Sequence, residues 1–404
     1  MRVLFVTGEY PAMQGGVGDY TRRLSQALGV LGADVHVLTH VDAGGDPLRE
    51  GGTNEPSVYP IMRQTGWQLW QHVLRLVRDL RPDVVHIQYQ SAAYGLHPAI
   101  NYLPWRLRLT RPRPAILTTF HDLRYPFLFP KAGPLRWQVV LALARGSDAD
   151  VVTNEGDYQR LAGTDVGRKL APIPIGSNIR REPPSGQESA LYVYDRDVQR
   201  RKWGAGPGDW LLSYFGFLNA NKGGDTLVRA LAELVSAGRP ARLLMIGGKV
   251  GSSDPTNLAY LSHIEALIDR LGLHDRVQWT GFTSSDKVSA NLLAADCAVM
   301  PYREGASLRH GSLMAALAHG VPIVSTQPST VIQDSQRVFP SLRDGENALL
   351  VPPEDPARLA EAVVAVMSDD ALRARLGSAA LALSRSFEWD TIARQHLEAY
   401  GRLA

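Results

Sequence analysis

Residues 301–325 read Pro301-Tyr-Arg-Glu-Gly-Ala-Ser-Leu-Arg-His-Gly-Ser-Leu-Met-Ala-Ala-Leu-Ala-His-Gly-Val-Pro-Ile-Val-Ser325. The apolar run 297–300 before them predicts a buried strand, and Gly311 begins a short apolar helix that ends at Gly320. A strand followed by a small-residue loop and a helix N-terminus forms an anion site, because unpaired backbone N–H groups and the helix dipole point at the loop. Arg309 lies in this loop, so the stretch predicts phosphate binding.

The N-terminal residues show the same order of strand, loop and helix. Residues 2–7 predict a buried strand, and a helix is predicted from Asp19 onward. Between them lies the loop Gly15-Gly16-Val17-Gly18, at the strand end where ligands bind in doubly wound sheets. This loop lacks the later glycine of the dinucleotide-binding pattern, and it has a second interpretation as a simple tight turn.

Short apolar strands alternate with helices along the rest of the chain. This pattern is typical of α/β domains with mainly parallel sheets. Residues 41–60 are predicted to be loop-rich, and 179–208, rich in Arg, Pro, Gly and Ser, to form a linker. We therefore predict two Rossmann-like domains, residues 1–180 and 205–385, whose parallel sheets face each other across a cleft.

Composition limits the class of protein. The chain has 404 residues, of which 45% are hydrophobic and 21% charged, with a formal net charge of +3. These values are ordinary for a globular protein and exclude disordered and fibrous classes. The only cysteine, Cys297, allows no disulfide within the chain and is predicted to be a small core residue in a reducing compartment. The N-terminus lacks a signal-peptide pattern and no run of about 18 apolar residues occurs, so we expect a cytoplasmic protein.

Basic residues with aromatic neighbours are concentrated between Trp105 and Arg145. The basic members are Arg106, Arg108, Arg111, Arg113, Arg124, Lys131, Arg136 and Arg145. The segment has two interpretations: a solvated basic surface, or a patch for anionic lipid headgroups or an anionic acceptor. The second implies peripheral contact of the N-terminal domain with the inner face of the cell membrane. No nucleic-acid-binding module surrounds the patch, so nucleic acid is not expected as a partner.

Two further positions carry candidate chemistry. Lys222, followed by Gly223 at the start of a predicted helix, can place an ammonium group on a diphosphate, although it can also be an ordinary exposed lysine. His121 follows the predicted strand 115–120. There it can donate to a hydroxyl or accept a proton, or it can be a satisfied structural histidine.

Motifs along nearly the whole chain resemble those of the family-4 (GT4) retaining glycosyltransferases, which have the GT-B fold. The motifs are Gly15–Gly18, His121-Asp122, Gly216–Gly223, Glu304-Gly305-Ala306-Ser307, His319-Gly320-Val321-Pro322-Ile323-Val324, Asp344–Asn347 and Phe387–Asp390. The resemblance implies two Rossmann-like domains, with the terminal helix 388–404 packed back on the first. It also implies transfer of a sugar, with retention, from a nucleotide-diphosphate sugar to an acceptor hydroxyl on a glycan, a lipid-linked molecule or a small molecule.

The resemblance assigns roles residue by residue. Lys222 would contact the donor's diphosphate, Glu304 matches the first glutamate of the E-x7-E signature, and His121 would lie beside the sugar; these are the predicted catalytic residues. The predicted donor-binding residues are Gly16, Asn219, Gly305, Ala306, Ser307, Arg309, Gly311 and Ser312. No metal and no cofactor other than the donor substrate is implied. Asp148-Ala-Asp150 spells the D-x-D of metal-dependent sugar-nucleotide enzymes, but its place at a helix end and a strand start predicts a structural role.

Two positions depart from the family pattern. Ser312 stands where relatives have the second glutamate of E-x7-E, which binds the ribose hydroxyls, and Phe217 stands where an arginine usually follows the first loop's glycine. We hypothesise that Arg309 supplies the missing positive charge. The departures leave open an alternative, a non-catalytic nucleotide-sugar-binding protein or partner subunit. A dinucleotide oxidoreductase is disfavoured, because no G-x-G-x-x-G loop is followed by an acidic strand end.

Overall fold

The computed structural model describes residues 1–13, 15–43, 55–125, 133, 135–177, 179, 181, 194–249, 255–328 and 337–403. The chain forms two compact units. Unit 1 comprises Met1–Gly176, Arg337–Phe339 and Phe387–Ala404, and unit 2 comprises Ser177–Gln336 and Pro340–Ser386. The chain therefore returns to unit 1 after completing unit 2.

Each unit contains one parallel sheet. The strands are β1 (Arg2–Val6), β2 (Asp34–His40), β3 (Ser57–Met62), β4 (Val84–Tyr89), β5 (Ala115–Phe120), β6 (Ala149–Val152), β7 (Leu170–Pro172), β8 (Trp210–Phe215), β9 (Ala241–Ile246), β10 (Val277–Trp279), β11 (Cys297–Met300), β12 (Ile323–Thr326) and β13 (Leu349–Val351). Unit 1 has the strand order β3-β2-β1-β4-β5-β6-β7, and unit 2 has β10-β9-β8-β11-β12-β13. These doubly wound sheets confirm the predicted α/β class with two Rossmann-like domains.

Helices connect the strands. They are α1 (Gly16–Val30), α2 (Leu69–Leu80), α3 (Ala99–Leu107), α4 (Leu135–Gly146), α5 (Glu155–Ala162), α6 (Arg196–Lys202), α7 (Gly224–Ser236), α8 (Pro255–Arg270), α9 (Ser285–Ala294), α10 (Gly311–Ala318), α11 (Pro356–Ser368), α12 (Asp370–Ser384) and α13 (Trp389–Gly401). Helices cover both faces of a parallel sheet, so its strands are continuous apolar runs. In β1, for example, residues 3–6 are all fully buried.

The last helix, α13, belongs to unit 1. Its side chains Trp389, Ile392 and Tyr400 are buried in the apolar layer that also contains Val3 and Phe5 of β1. Because α13 lies about 390 residues after β1 in the chain, this packing joins the two ends of the sequence in one core. The core of unit 1 therefore depends on the C-terminal residues.

Three local predictions differ from the structure. The segment predicted to be loop-rich contains β3, whose side chains are mostly half-buried at the sheet edge and so give a weak apolar signal; residues 44–54 lie outside the described residues. Helix α1 begins at Gly16, so the predicted glycine loop forms its first turn. The predicted linker contains α6, which begins with a side-chain cap, since Asp195 accepts a hydrogen bond from the N–H of Val198 (2.9 Å).

The two carboxylates of the D-x-D pattern are bound within the fold. Asp148 pairs with Arg113 and accepts a hydrogen bond from the backbone N–H of Ile116 (2.9 Å). Asp150 is completely buried in β6, with the Nζ of Lys169 3.4 Å from its Oδ2. Burial raises the pKa of Asp150 from 3.8 to about 7, and Lys169 offsets part of that rise. Within the described ranges, no group of three His, Cys, Asp or Glu residues is arranged to hold a metal.

The raised pKa of Asp150 predicts a pH-dependent stability. The folded state favours the protonated carboxyl, so its stabilising contribution is complete below about pH 4 and is lost as the pH rises through about 7. We expect the free energy of unfolding of Asp150→Asn to increase relative to wild type across that window, by up to about 1.4 kcal/mol per pH unit. Urea unfolding at several pH values measures this difference. A difference in unfolding free energy between the two proteins that does not change with pH would contradict the raised pKa of Asp150.

Candidate active site

Two loops of unit 2 lie at the carboxyl ends of neighbouring strands. The β8 loop (216–223) follows β8 and the β11 loop (301–310) follows β11, and these two strands pair directly. Gly223 has a φ of +68°, a left-handed conformation that favours glycine. A Cβ atom at this position would overlap the carbonyl oxygen of Pro301. The glycine therefore allows the two loops to touch.

Further contacts join the loops into one surface. The backbone N–H of Arg303 donates to the carbonyl of Asn221 (3.0 Å). A Cβ built at Gly216 would lie 3.7 Å from the Cβ of Ser312, at van der Waals distance. The start of the β8 loop therefore lies beside the first turn of α10.

Lys222 is a half-buried cation on this surface. Its Nζ lies 4.7 Å from the centroid of the Tyr302 ring, within cation–π range. Burial lowers the pKa of Lys222 from 10.5 to about 8, and the charge of Glu304 offsets part of that effect. Glu304 itself is exposed. An ammonium group that has lost part of its hydration is stabilised when an anion binds beside it.

Tyr302 supports several site residues. It is 1% exposed, its hydroxyl lies 2.9 Å from the Oγ of Ser312, and its ring stacks on His310 with the centroids 3.9 Å apart. Burial, together with the charges of Lys222 and Arg309, lowers the pKa of His310 to about 3, so this ring is neutral. The tyrosine thus fixes the position of the Ser312 hydroxyl.

Three polar atoms of these loops are buried without a hydrogen-bond partner among the residues the structure describes. One of them, the Nε of Arg303, lies 3.2 Å from the Oε1 of Glu354 in an ion pair. The other two are the Oδ1 of Asn219 and the Nδ1 of His310. An unpaired buried polar atom costs about 1–3 kcal/mol, so each of these two is a candidate contact for a bound ligand. Asn219 was predicted from the sequence, whereas His310 and Tyr302 were not. The sequence feature that could have identified them is an aromatic ring near each end of the loop. Tyr302 lies two residues after β11, and His310 lies directly before α10.

The small residues of the β11 loop form its backbone surface. Gly305 has a φ of +82°, which favours glycine, and Ala306 is buried. The Oγ of Ser307 accepts a hydrogen bond from the N–H of Arg309 (3.3 Å), whose own side chain is exposed. Gly311 is the first residue of α10. The loop therefore presents backbone groups and the exposed guanidinium group of Arg309 beside a helix N-terminus.

The remaining predicted residues, Gly16 and His121, lie in unit 1. Gly16 is the first residue of α1, and a Cβ there would meet no atom within 4 Å. His121 follows β5 and is 8% exposed. Its Nε2 lies 2.8 Å from the Oε1 of Gln88, and the ring of Tyr20 packs against its ring edge-on at 4.7 Å. His121 is thus a hydrogen-bonded group at the carboxyl edge of the unit 1 sheet.

Unit 1 also carries exposed aromatic residues. Trp67 is 51% exposed, and its ring lies 4.9 Å from Trp70 and 6.4 Å from Tyr102. Trp105, 47% exposed, and Leu109, 73% exposed, follow Tyr102 at one-turn spacing. We call Trp67, Trp70, Tyr102, Trp105 and Leu109 the aromatic patch.

Some basic residues of the predicted patch are neutralised. Arg108 and Arg113 pair with Asp148, and Arg145 pairs with Asp165. Lys131 lies outside the described residues. The predicted basic surface is therefore weaker than its residue count indicates. Its members for whose side chains the described residues provide no acidic partner are Arg106, Arg111, Arg124 and Arg136, of which Arg106 and Arg111 lie close to Trp105 and Leu109 of the aromatic patch in sequence.

Both halves of the chain match glycosyltransferase family models. The model described as "Glycosyltransferase Family 4" matches residues 14–181, and the model described as "Glycosyl transferases group 1" matches residues 195–382. The chain belongs to the family-4 glycosyltransferases. The gap between the two matches, residues 182–194, lies within the segment predicted to be the linker.

Curated relatives of this GT4 chain differ in the fraction of the chain that they match. A D-inositol 3-phosphate glycosyltransferase of Nocardia farcinica is 30% identical over 64% of this chain, and the match spans 57% of that relative's length. A GDP-mannose-dependent alpha-(1-6)-phosphatidylinositol monomannoside mannosyltransferase of Mycobacterium tuberculosis is 25% identical over 97% of this chain and 96% of its own. The chain thus spans little more than half of the first relative.

Solved structures share the fold. A glycosyltransferase from Rickettsia africae has a TM-score of 0.74 at 18% identity and covers 100% of this chain and 98% of its own. HepE of Anabaena, in complex with UDP, has a TM-score of 0.73 at 19% identity and covers 100% of both chains. These similarities confirm the predicted GT-B class.

The lowered pKa of Lys222 predicts a pH-dependent affinity for nucleoside diphosphates. The protonated lysine attracts the anion, so the Kd measured by calorimetry should rise above about pH 8, by at most about tenfold per pH unit. Lys222→Arg keeps its charge in this range and should give a flat profile from about pH 7 to about 9.5. A wild-type profile as flat as that of the arginine variant would contradict the prediction.

Proposed function

We propose that the protein transfers a sugar from a nucleotide-diphosphate sugar to an acceptor hydroxyl. The observation that carries the proposal is the half-buried Lys222 over Tyr302, beside the N-terminus of α10, in a chain of a glycosyltransferase family. The M. tuberculosis relative, matched over nearly the full length, is named as dependent on GDP-mannose. HepE has been solved with UDP and with UDP-glucose. Both names support a nucleotide-sugar donor here.

In the proposed reaction the largest charge develops on the leaving diphosphate. Lys222, Arg309 and the first backbone N–H groups of α10 would stabilise that charge. Lys222 suits this role because it already lies over Tyr302 and is partly shielded from water before the reaction begins. Cationic side chains thereby take the part that a metal ion has in metal-dependent transferases, and we propose a metal-independent reaction.

Glu304 and His121 are proposed to orient the transferred sugar. The family resemblance further supports retention of the anomeric configuration, with the leaving phosphate taking the acceptor's proton on the same face of the sugar. Binding energy at both groups would hold the sugar in a reactive conformation. Gly16 has no side chain, and we propose that this allows its backbone to lie close to the donor.

Recognition of the nucleotide is proposed to differ from that of relatives with the second glutamate. The Ser312 hydroxyl is held by Tyr302 at 2.9 Å, and the unpaired atoms of Asn219 and His310 lie in the same two loops. We propose that these neutral groups bond to the donor where a carboxylate does so in relatives. Neutral partners give weaker hydrogen bonds than a charged one.

A binding screen followed by a transfer assay tests the proposed function. Nucleoside diphosphates and nucleotide-sugars should raise the apparent melting temperature, because a ligand that binds only the folded state stabilises it. Lys222→Ala should lower donor turnover by about 100-fold or more, and Arg309→Ala should weaken donor affinity by about tenfold. Lys202→Ala is the matched control, since Lys202 also lies over an aromatic ring, 4.9 Å from Trp203, away from the loops.

The outcomes separate the alternatives. Turnover that is lost in Lys222→Ala and kept in Lys202→Ala supports a transferase. Donor binding without hydrolysis or transfer would instead identify a non-catalytic nucleotide-sugar-binding protein. Equal effects of the two substitutions would contradict the role given to Lys222, and unchanged affinity in Arg309→Ala would contradict the hypothesis on Arg309.

We also propose that the aromatic patch rests on an anionic membrane surface. Tryptophan and tyrosine side chains prefer the headgroup level, where an apolar ring and a polar tip are both accommodated. Arg106 and Arg111 lie beside the patch and complement anionic lipid. The proposed contact is peripheral. None of the described helices is long and apolar enough to cross a membrane. The proposed contact fits a lipid-linked acceptor.

Vesicle sedimentation tests the membrane proposal. At low salt, binding to vesicles with anionic lipid should exceed binding to neutral vesicles, and Leu109→Ser with Arg106→Glu should weaken it by about tenfold or more. Leu258→Ser is the matched control, because Leu258 is a leucine of unit 2 that is 57% exposed. No binding to anionic vesicles, or equal loss in the control, would remove the proposal.

A further inference from the structure

A line of polar side chains crosses an otherwise apolar layer of unit 1. His86 and Gln88 alternate along β4. Thr119 on β5, the neighbouring strand, and His121, directly after β5, continue the same alternation. His86, Gln88 and Thr119 are completely buried, and His121 is nearly so. Buried polar groups destabilise a fold unless they are hydrogen-bonded. The line therefore needs partners within the layer, and it ends at a predicted catalytic residue.

The partners form a continuous chain of hydrogen bonds that starts on α13. The hydroxyl of Tyr400 lies 2.7 Å from the Nδ1 of His86, and the Oγ1 of Thr119 lies 2.7 Å from the Nε2 of His86. The amide nitrogen of Gln88 lies 3.1 Å from that Nε2, and its Oε1 lies 2.8 Å from the Nε2 of His121. The last helix of the sequence is thus bonded, through two side chains of β4, to His121.

Donors and acceptors give this chain a direction. Burial, followed by the charges of His396 and His121, lowers the pKa of His86 well below its usual value, so His86 is neutral and carries one N–H. Its Nε2 faces the amide N–H of Gln88 and must accept, so the proton lies on Nδ1 and is donated to Tyr400. The Oε1 of Gln88 can only accept, so His121 donates to it from Nε2.

We infer that Tyr400, His86 and Gln88 are positioning residues that hold His121 in one ring orientation and in its Nε2–H tautomer. The tautomer of a histidine is set by the hydrogen bond at one of its ring nitrogens. With the proton on Nε2, the neutral ring carries its lone pair on Nδ1, which accepts hydrogen bonds and does not donate them. The catalytic consequence rests on the function proposed above: His121 would accept from a substrate hydroxyl.

The inference has a structural test that needs no substrate. In full-length protein with ¹⁵N-labelled histidine, long-range proton–nitrogen spectra identify the protonated ring nitrogen of each histidine. We expect Nδ1–H for His86 and Nε2–H for His121, assigned with His86→Gln and His121→Gln. The opposite pair of tautomers in the wild-type protein would overturn the inference.

Tyr400→Phe tests whether the chain of bonds sets the tautomer. Without the hydroxyl, the Nδ1–H of His86 loses its acceptor. His86 should then donate from Nε2, the Gln88 amide should turn, and the ratio of Nε2–H to Nδ1–H at His121 should fall by about tenfold or more. Gln88→Leu removes the hydrogen bond to the Nε2 of His121 and should abolish the same preference for the Nε2–H tautomer. This variant keeps the test valid if Tyr400→Phe does not fold.

Tyr20→Phe is the matched control. Its hydroxyl is buried in the same layer and lies 3.4 Å from His396 of α13, outside the chain of bonds. This variant should lose stability without changing the tautomer of His121. If Tyr400→Phe and Gln88→Leu likewise leave the tautomer unchanged, the three residues are only structural and the inference is wrong.

A kinetic comparison separates this inference from the proposed function. In Tyr400→Phe we expect kcat for sugar transfer to fall by about tenfold, because a small misplacement of a reacting group is costly. The Kd for a nucleoside diphosphate should stay within about twofold, since its proposed side-chain contacts lie in unit 2 and Gly16 of unit 1 offers only backbone. A rise in Kd with unchanged kcat would overturn the inference. If the wild-type protein has no transfer activity, the proposed function fails while the tautomers still decide the inference.

Discussion

The approach of Gly223 to the carbonyl of Pro301 is the contact on which the site in unit 2 depends. Two parallel strands, β8 and β11, bring their loops to the same edge of the sheet, but only a residue without a Cβ lets the loops touch. The contact places Lys222 over Tyr302, and Tyr302 in turn holds Ser312 and stacks on His310. A side chain at 223 would separate the lysine from its aromatic support.

Desolvation gives this arrangement its chemical character. Lys222 loses part of its hydration and its pKa falls to about 8, while His310, beside two cations, has its pKa lowered to about 3 and stays neutral. One group is thus a cation that an incoming anion stabilises, and the other is a neutral ring that does not add to the positive charge. Two basic residues in contact with one tyrosine therefore differ in charge.

Desolvation also constrains the polar side chains that are buried in unit 1. Its parallel strands are buried on both faces, so polar side chains within them must find partners inside the layer. His86 and Gln88 find theirs on β5 and on α13, which returns from the far end of the sequence. The terminal helix therefore contributes hydrogen-bonding groups as well as apolar surface. Its presence in the core makes the orientation of His121 depend on residues almost 280 positions away.

The sequence by itself determined the fold class, because parallel strands buried on both faces are continuous apolar runs. Such runs can be recognised without knowing which strands pair. The strand–loop–helix order likewise located Lys222, Glu304 and the β11 loop. It missed β3, an edge strand with a weak apolar pattern, and placed the start of α1 three residues late, since glycines in a first helical turn resemble a loop. Only the tertiary structure decided what lies against what: Tyr302 under Lys222, Asp150 against Lys169, and Tyr400 bonded to His86. Sequence periodicity reports which face of an element is buried, whereas the partner of a buried polar group is set by packing between residues far apart in the chain.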